Sequence, residues 1–384
     1  LITSSPQSGA VTEDLTALAT GSVTFSDIDL TDRHTASLDR TASYGTFSLS
    51  TLTDTANGIG GSQGWSYTLD NSKPAVQQLA AGQTLIESFL ISLTDGNGST
   101  ATQAVSITIT GTNDDILVTS SPQSGAVTED LTALATGSVT FSDIDLTDRH
   151  TASLDRTASY GTFSLSTLTD TANGIGGSQG WSYTLDNSKP AVQQLAAGQT
   201  LIESFLISLS DGNGSTATQS VSITITGTND TPTVDASDAS PFQEALSASS
   251  QTLSQSGTVS FSDIDDIDTV SISYASNNDI SWSGGSLNPN LAAGLVAGFS
   301  TGVLNAEAPG STPWTYNASG LNLDFLAAGE SISFSYTVKA IDNNGASATD
   351  VVRFTITGTN DDILVTSSPQ SGAVTEDLTA LAPG

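Results

Sequence analysis

At 384 residues, with 40 Asp and Glu against 8 Lys and Arg, the chain carries a formal charge of −32. That balance excludes phosphate-backbone recognition, which needs clustered Lys and Arg, and it opposes docking on an anionic membrane surface. Cysteine and methionine are both absent, so disulfides and thiolate metal sites are excluded, and no apolar run of about 18 residues offers a bilayer span.

Hydrophobic residues make up 36% and charged ones 12%. Regular two-residue alternation and buried-type aromatics argue against disorder and for small β-domains whose polar faces carry hydroxyls. An acidic, cysteine-free, Ser/Thr-rich chain fits a place outside a bacterial cell. The sequence starts and stops inside repeats and reads as an excerpt, so the lack of a visible leader carries no information.

Thr3-Ser4-Ser5-Pro6 returns as Thr119-Ser120-Ser121-Pro122, a period of 116 residues and the length of one sandwich domain. In the first repeat Val23 and Phe25 alternate inward before Asp27, Phe47 and Leu49 follow a Tyr44-Gly45 turn, and Trp65, Tyr67 and Leu69 make a third run. Pro74 to Leu79 allows one short helical turn. Leu85, Phe89, Ile91 and Leu93 then lead through Asp95-Gly96-Asn97-Gly98 to Val105, Ile107 and Ile109, a hairpin with a turn suited to positive φ. About seven strands per repeat with polar turns predict an all-β fold of tandem Greek-key β-sandwich modules.

The second repeat copies the first: between residues 1–114 and 117–230 only Ile2/Val118, Thr94/Ser210 and Ala104/Ser220 differ. The third, within 232–362, is longer and changed, yet keeps Phe261-Ser262-Asp263-Ile264-Asp265, Leu326-Ala327-Ala328-Gly329 and Asp342-Asn343-Asn344-Gly345. The module boundaries are therefore read as 1–115, 116–231, 232–362 and a truncated fourth copy, 363–384, running through Thr375-Glu376-Asp377.

Each boundary carries acidic and amide residues: Gly111-Thr112-Asn113-Asp114-Asp115, Gly227-Thr228-Asn229-Asp230 and Gly358-Thr359-Asn360-Asp361-Asp362. In a Greek-key sandwich Glu13 falls at the exit end of its module. The Asp143-Ile144-Asp145 loop and the hairpin residue Asp211 fall at the entry end of the next, so these should meet Asn113, Asp114 and Asp115. The same pattern nominates Asp27, Asp29 and Asp95 in the first repeat. It nominates Glu129, Asn229, Asp230, Asp263, Asp265 and Asp342 around the second boundary, and Asn360 and Asp361 at the third, where the exit acid is Glu244 or Glu330. Two like charges 4 Å apart repel by about 4 kcal/mol at an effective dielectric of 20. A hard cation reverses that sign, and calcium (Ca2+), which takes about 6–8 oxygen ligands in flexible geometry, suits the set better than magnesium.

The order Val11-Thr12-Glu13-Asp14, Phe25-Ser26-Asp27-Ile28-Asp29, Tyr67-Thr68-Leu69-Asp70-Asn71, Asp95-Gly96-Asn97-Gly98 and Ile107-Thr108-Ile109-Thr110-Gly111-Thr112-Asn113-Asp114 resembles a VCBS repeat. The resemblance covers three modules, strongly in two. It implies Ig/cadherin-like sandwiches in a linear array, interdomain calcium, and a place in a large RTX-type bacterial adhesin exported by type I secretion. The expected role is a calcium-stiffened extender projecting a distal binding domain. Its partners would be neighbouring modules, with other copies packing laterally if the chain is instead a subunit of an extracellular filament or sheath. Thr231 replaces the second Asp of the linker, which predicts weaker binding at the second boundary.

Several motifs fail. Asp95-Gly96-Asn97-Gly98-Ser99 begins like an EF-hand loop, but Thr100 and Ser106 occupy its Gly and Glu positions. No His-Glu-x-x-His or phosphate loop supports an enzyme. His34 and His150 read as solvated loop residues. Trp65 and Trp181 read as core; Trp282 and Trp314, in altered sequence, read as packing, with a sugar site in the third repeat as the rival.

Overall fold

The computed structural model describes residues 1–246, 249–363 and 365–372. Thr375-Glu376-Asp377, the acidic motif of the fourth copy, lies outside the described residues. Two compact units are present: Leu1–Val192 with Thr200–Thr226, and Gln193–Gln199 with Gly227–Gly384.

The first unit holds the two near-identical repeats. The first contains β1 (Gln7–Thr12), β2 (Leu18–Phe25), β3 (Thr35–Leu38), β4 (Gly45–Leu49), β5 (Gly61–Leu69), the single turn α1 (Pro74–Gln77), β6 (Thr84–Thr94) and β7 (Thr100–Thr110). They form two sheets, β1-β7-β6-β3 and β2-β5-β4, whose inner faces carry the predicted alternation: Val105, Ile107 and Ile109 are fully buried. The second repeat contains β8 (Leu117–Val118), β9 (Gln123–Thr128), β10 (Leu134–Ser142), β11 (Thr151–Leu154), β12 (Gly161–Leu165), β13 (Gly177–Leu185), α2 (Pro190–Gln193), β14 (Thr200–Ser210) and β15 (Thr216–Thr226). Its sheets are β12-β13-β10-β8 and β11-β14-β15-β9.

The opening segment of each repeat changes sheets. Ile2 bridges to Phe25 in one sheet, after which β1 runs parallel to β7 in the other, with Gln7 opposite Val105 and Thr12 opposite Thr110. That parallel register delivers Glu13 to the end of β7, where its N–H donates to Thr110 O at 2.9 Å. At the opposite end, the β6–β7 turn is made by Gly96 at φ 82° and Gly98 at φ 110°, values that residues with a Cβ rarely adopt.

Aromatic rings fill the sandwich: Phe47 lies 4.3 Å from Phe89 and stacks on Trp65 at 5.6 Å between centroids. Trp65 lies so close to Gly21 that a Cβ there would sit 2.3 Å from the indole. A buried polar bracket crosses the core, with Tyr67 Oη donating to Glu87 Oε2 at 2.7 Å and Ser43 N to Glu87 Oε1 at 2.7 Å.

The second unit contains β16 (Thr233–Ala236), β17 (Phe242–Gln243), β18 (Gln251–Ser262), β19 (Thr269–Ser276), β20 (Ser281–Trp282), α3 (Pro289–Val296), β21 (Phe299–Ser300), β22 (Val303–Glu307), β23 (Gly310–Leu321), β24 (Ser331–Asp342) and β25 (Ser347–Thr357). One sheet is β16-β18-β23-β21; the other is β17-β25-β24-β19-β22, with β20 also on β24. Trp314 is 1% exposed and belongs to this core, which removes it from any sugar site. Phe334 stands where the other repeats have the buried Glu. The tyrosine hydroxyls turn instead to the end of α3, Tyr316 to Leu295 O at 2.9 Å and Tyr336 to Val296 O at 2.7 Å. The inserted helix thus replaces a buried carboxylate as the acceptor of Tyr316, the counterpart of Tyr67, while Tyr336 stands where the first repeat has Phe89.

Candidate metal centre

The first boundary is assembled from both ends of adjacent repeats. Glu13 is fully buried and its Oε2 accepts from Thr112 N at 3.1 Å, while Gln77 Nε2 donates to its Oε1 at 2.9 Å. One residue on, Asn113 Nδ2 donates to Asp211 Oδ2 at 3.0 Å and Asp114 N to Asp145 Oδ2 at 2.9 Å. Ile116, buried, donates its N–H to Ser215 Oγ at 3.1 Å. The linker is therefore laid over the loop after β10 and the β14–β15 turn, as topology predicted.

An Asx turn shapes each of these two loops. Asp143 Oδ1 accepts from Asp145 N at 3.0 Å, and Asp211 Oδ1 accepts from Asn213 N at 2.7 Å and Gly214 N at 3.0 Å. Asp143, Asp148 and Asp211, all buried, bring one carboxylate oxygen each within 4.8 Å of the others. Asp148 was missed in the sequence. Its signal is a third acid, three residues beyond each Asp-Ile-Asp, as in Asp143-Ile144-Asp145-Leu146-Thr147-Asp148.

The electrostatics mark this cluster as costly by itself. Burial pushes Asp145 up to about 6 against the hydrogen bond it accepts from Asp114 N, with the neighbouring carboxylates adding to the rise, and burial pushes Glu13 up to about 7. Burial likewise raises Asp114, with neighbouring acids adding to it. Asp211 is the exception: burial acts upward, but hydrogen bonds from Asn113 and three backbone N–H groups hold it below the usual range. Asn113 Oδ1, Asp114 Oδ2, Asp145 Oδ1 and Asp148 Oδ2 are buried acceptors that receive no hydrogen bond among the described residues. Buried polar atoms are nearly always satisfied. An all-oxygen, mostly anionic group of this kind fits a hard cation such as calcium.

Both histidines depart from the expectation of a solvated loop. His150, 7% exposed, lies 2.9 Å from Asp143 Oδ2 through Nε2 and 2.6 Å from Asp170 Oδ1 through Nδ1, with Phe141 packed at 4.9 Å. The side chain is drawn inward because two carboxylates from separate loops converge on it. Both raise its pKa against the effect of burial.

In the second unit, Asn229 Nδ2 donates to Asp342 Oδ2 at 3.0 Å and Asp230 N to Asp265 Oδ2 at 3.0 Å, matching Asn113 and Asp114. Asp263, Asp268 and Asp342 form the corresponding oxygen triad, within 4.8 Å, and burial pushes Asp265 up to about 6. Asp268 is again the missed third acid. Val270 stands at the position of His150, and Asp263 Oδ2 is buried without a hydrogen bond.

The exit acid of the third repeat is Glu244: its N–H donates to Thr357 O at 3.0 Å and its Oε2 accepts from Thr359 N at 3.2 Å, repeating the contacts of Glu13. Glu330 is engaged elsewhere, accepting from Trp282 Nε1 at 3.1 Å. Glu129 is fully buried, with its N–H on Thr226 O at 2.9 Å. Asn360 is exposed and its Nδ2 reaches Asp361 O at 3.5 Å.

Asp115 does not join the first cluster. It is exposed, as is Thr231 at the matching position, so the expectation that Thr231 weakens the second boundary loses its basis. Asp27, Asp32 and Asp95 bring oxygens within 4.8 Å but are only partly buried, and Asp29 is exposed.

No family model matches the chain, and no curated protein matches it. Solved structures do. PcdhgB3 EC1-4 is 14% identical with a TM-score of 0.47, covering 93% of this chain and 76% of that one. Protocadherin gamma B7 extracellular cadherin domains 1–4 are 14% identical with a TM-score of 0.41, covering 91% and 74%. Mouse cadherin-23 EC22–24 is 14% identical with a TM-score of 0.40, covering 93% and 96%. At such identity the likeness concerns chain path alone.

Proposed function

We propose that this chain is a run of calcium-braced β-sandwich modules, the extender region of a secreted bacterial adhesin or matrix protein. The observation that carries the reading is the buried oxygen cluster at the first boundary, where four acceptors lack a donor among the described residues. Asp143, Asp148 and Asp211 would hold the ion together with Asn113 Oδ1, Asp114 Oδ2 and Asp145 Oδ1, with Glu13 closing the exit side. Bound calcium would supply the positive charge that turns mutual carboxylate repulsion into attraction. The residues themselves do the positioning: Asn113 and Asp114 tie the linker to Asp211 and Asp145, and Ile116 anchors it in apolar surroundings. Loss of linker freedom is the mechanical output. In the second unit Asp263, Asp265, Asp268 and Asp342, with Asn229, offer an equivalent set.

Extracellular calcium modules bind at about 0.1–1 mM, so such a segment would gain its full rigidity only after export. Small-angle scattering and thermal melting of the whole chain, with millimolar calcium and with chelator, test this. A longer maximum dimension and a higher melting temperature in calcium are expected. If both are unchanged by the chelator, the reading is wrong.

A further inference from the structure

The third repeat carries a groove of about 830 Å³ that its longer sequence builds. Trp282 on β20, Leu287 and Leu291 at the start of α3, and Phe325 after β23 supply its apolar surface, and Asn290 and Asn322 are among its polar lining. A volume in the range of about 300–1,000 Å³, apolar walls and a few convergent polar groups are the features of a small-molecule site. We propose that this groove binds a short, uncharged oligosaccharide.

Three observations select that chemistry. First, the aromatic platform is fixed before any ligand arrives. Trp282 Nε1 donates to Glu330 Oε2 at 3.1 Å, the edge of Phe325 meets the indole at 4.8 Å and 85°, and a Cβ on Gly284 would lie 2.6 Å from the ring. A ring so held loses little entropy on stacking against the C–H face of a pyranose. Phe325 is 39% exposed, an uncommon position for a Phe.

Second, amide groups with unused capacity surround the rings. Asn290 makes no side-chain hydrogen bond among the described residues, only its backbone N–H donating, to Asn288 Oδ1. Asn288 and Asn322 use only their Oδ1, accepting from Asn290 N at 2.9 Å and Asp324 N at 3.1 Å. Their Nδ2 groups remain donors toward hydroxyls.

Third, no Asp, Glu, Lys or Arg lines the groove of a chain whose formal charge is −32. The carboxylate that borders it, Glu330, is outside the lining and already accepts from Trp282 Nε1, so a cationic ligand would find no charged side chain lining the groove, and an anionic one would meet a repulsive field. A neutral ligand with alternating apolar faces and hydroxyls is what remains. The groove is independent of the calcium reading, since none of its lining residues belongs to the acidic clusters.

Tryptophan fluorescence gives a direct test on the 384-residue chain, because Trp65, Trp181 and Trp314 are each at most 3% exposed and Trp282 alone is partly exposed among the described residues. An array of neutral, sialylated and sulfated oligosaccharides is screened first. The best neutral hit is then titrated by fluorescence into the wild type and an Asn290→Ala, Phe325→Ala double variant. Neutral hits that shield Trp282 from acrylamide, and a loss of about tenfold or more in affinity in the double variant at unchanged melting temperature, are expected. Trp282→Phe, which keeps a ring in place but removes the fluorescent reporter and is therefore titrated by calorimetry, serves if the double variant unfolds, with the same loss expected. Absence of neutral hits, binding confined to anionic glycans, affinity untouched by the substitutions, or saturation of the groove by an apolar peptide library instead would each overturn the proposal.

Discussion

Residues 26–34 and 142–150 share one sequence, Ser-Asp-Ile-Asp-Leu-Thr-Asp-Arg-His, but they do not share one environment. In the second copy Asp143, Asp145, Asp148 and His150 are all buried; in the first, Asp29 is exposed and Asp27, Asp32 and His34 are only partly buried. Ile28 is 91% exposed where Ile144 is 42%. The difference is segment 112–116, which packs over the second copy alone. In the covered copy burial pushes Asp145 up to about 6. The high-cost cluster is thus a property of the junction and not of the repeat.

The largest effect should separate the two copies by substitution. Asp148→Asn with Asp211→Asn should abolish calcium-dependent stabilisation of the first boundary, lowering the melting temperature in calcium by on the order of 10 °C, from about 2.7 kcal/mol at a hundredfold excess over the dissociation constant. Asp32→Asn with Asp95→Asn, the same change in the same sequence, should shift it by far less. Equal losses in differential scanning calorimetry would show that the linker contributes nothing.

A smaller effect, of reversed sign between conditions, is expected for Glu13→Gln. The amide keeps an acceptor for Thr112 N while removing a charge that burial disfavours. In chelator the variant should melt higher by roughly 2–5 °C, and in calcium its affinity, read by isothermal titration, should fall about tenfold. A variant that lowers stability in both conditions would make Glu13 a packing residue only.

Acid should act in the same direction. Glu13 at about 7 and Asp145 at about 6 lie above the usual carboxylate range, so the metal-free fold holds protons that the unfolded chain releases. Their contribution is fully present below about pH 4 and is lost as pH rises through 6 to 7. His150 and His34, also raised, add stability below about pH 6.5 that disappears as pH climbs past their folded values. Melting temperature in chelator should therefore fall from pH 5 to pH 8. Asp27, depressed, contributes in the opposite sense but only as pH drops toward its lowered value. A profile that rises over that window would contradict the burial assigned to Glu13 and Asp145.

The strands were legible because a period of two is written directly in Val105, Ile107 and Ile109, and the hairpin because Gly96 and Gly98 mark its turn. The meeting of Asn113 with Asp211 and of Asp114 with Asp145 also followed from Greek-key topology, which fixes which loops share an end. What topology could not supply was depth. Asp148 is not singled out in the sequence because nothing in Leu146-Thr147-Asp148 marks it as buried. His150 looked solvated because its two partners, Asp143 and Asp170, come from different loops. The groove was hidden for a similar reason: Trp282 and Phe325 are 43 positions apart, and only β20 pairing with β24 brings that insert beside the turn after β23.

The smallest effect concerns a residue that the sequence placed inside the site. Asp115 repeats the acidic character of Asp114, yet it is exposed and carries no hydrogen bond to the loop residues that Asn113 and Asp114 engage. Backbone alternation explains this: adjacent side chains of an extended linker point to opposite sides, so if Asp114 faces the cluster, Asp115 faces water. Asp115→Thr, which copies Thr231, should change calcium affinity at the first boundary by less than about 0.5 kcal/mol, the range of ordinary surface substitutions. An isothermal titration showing a tenfold loss would place Asp115 among the ligands after all. It would also restore the expectation that the boundary carrying Thr231 binds more weakly.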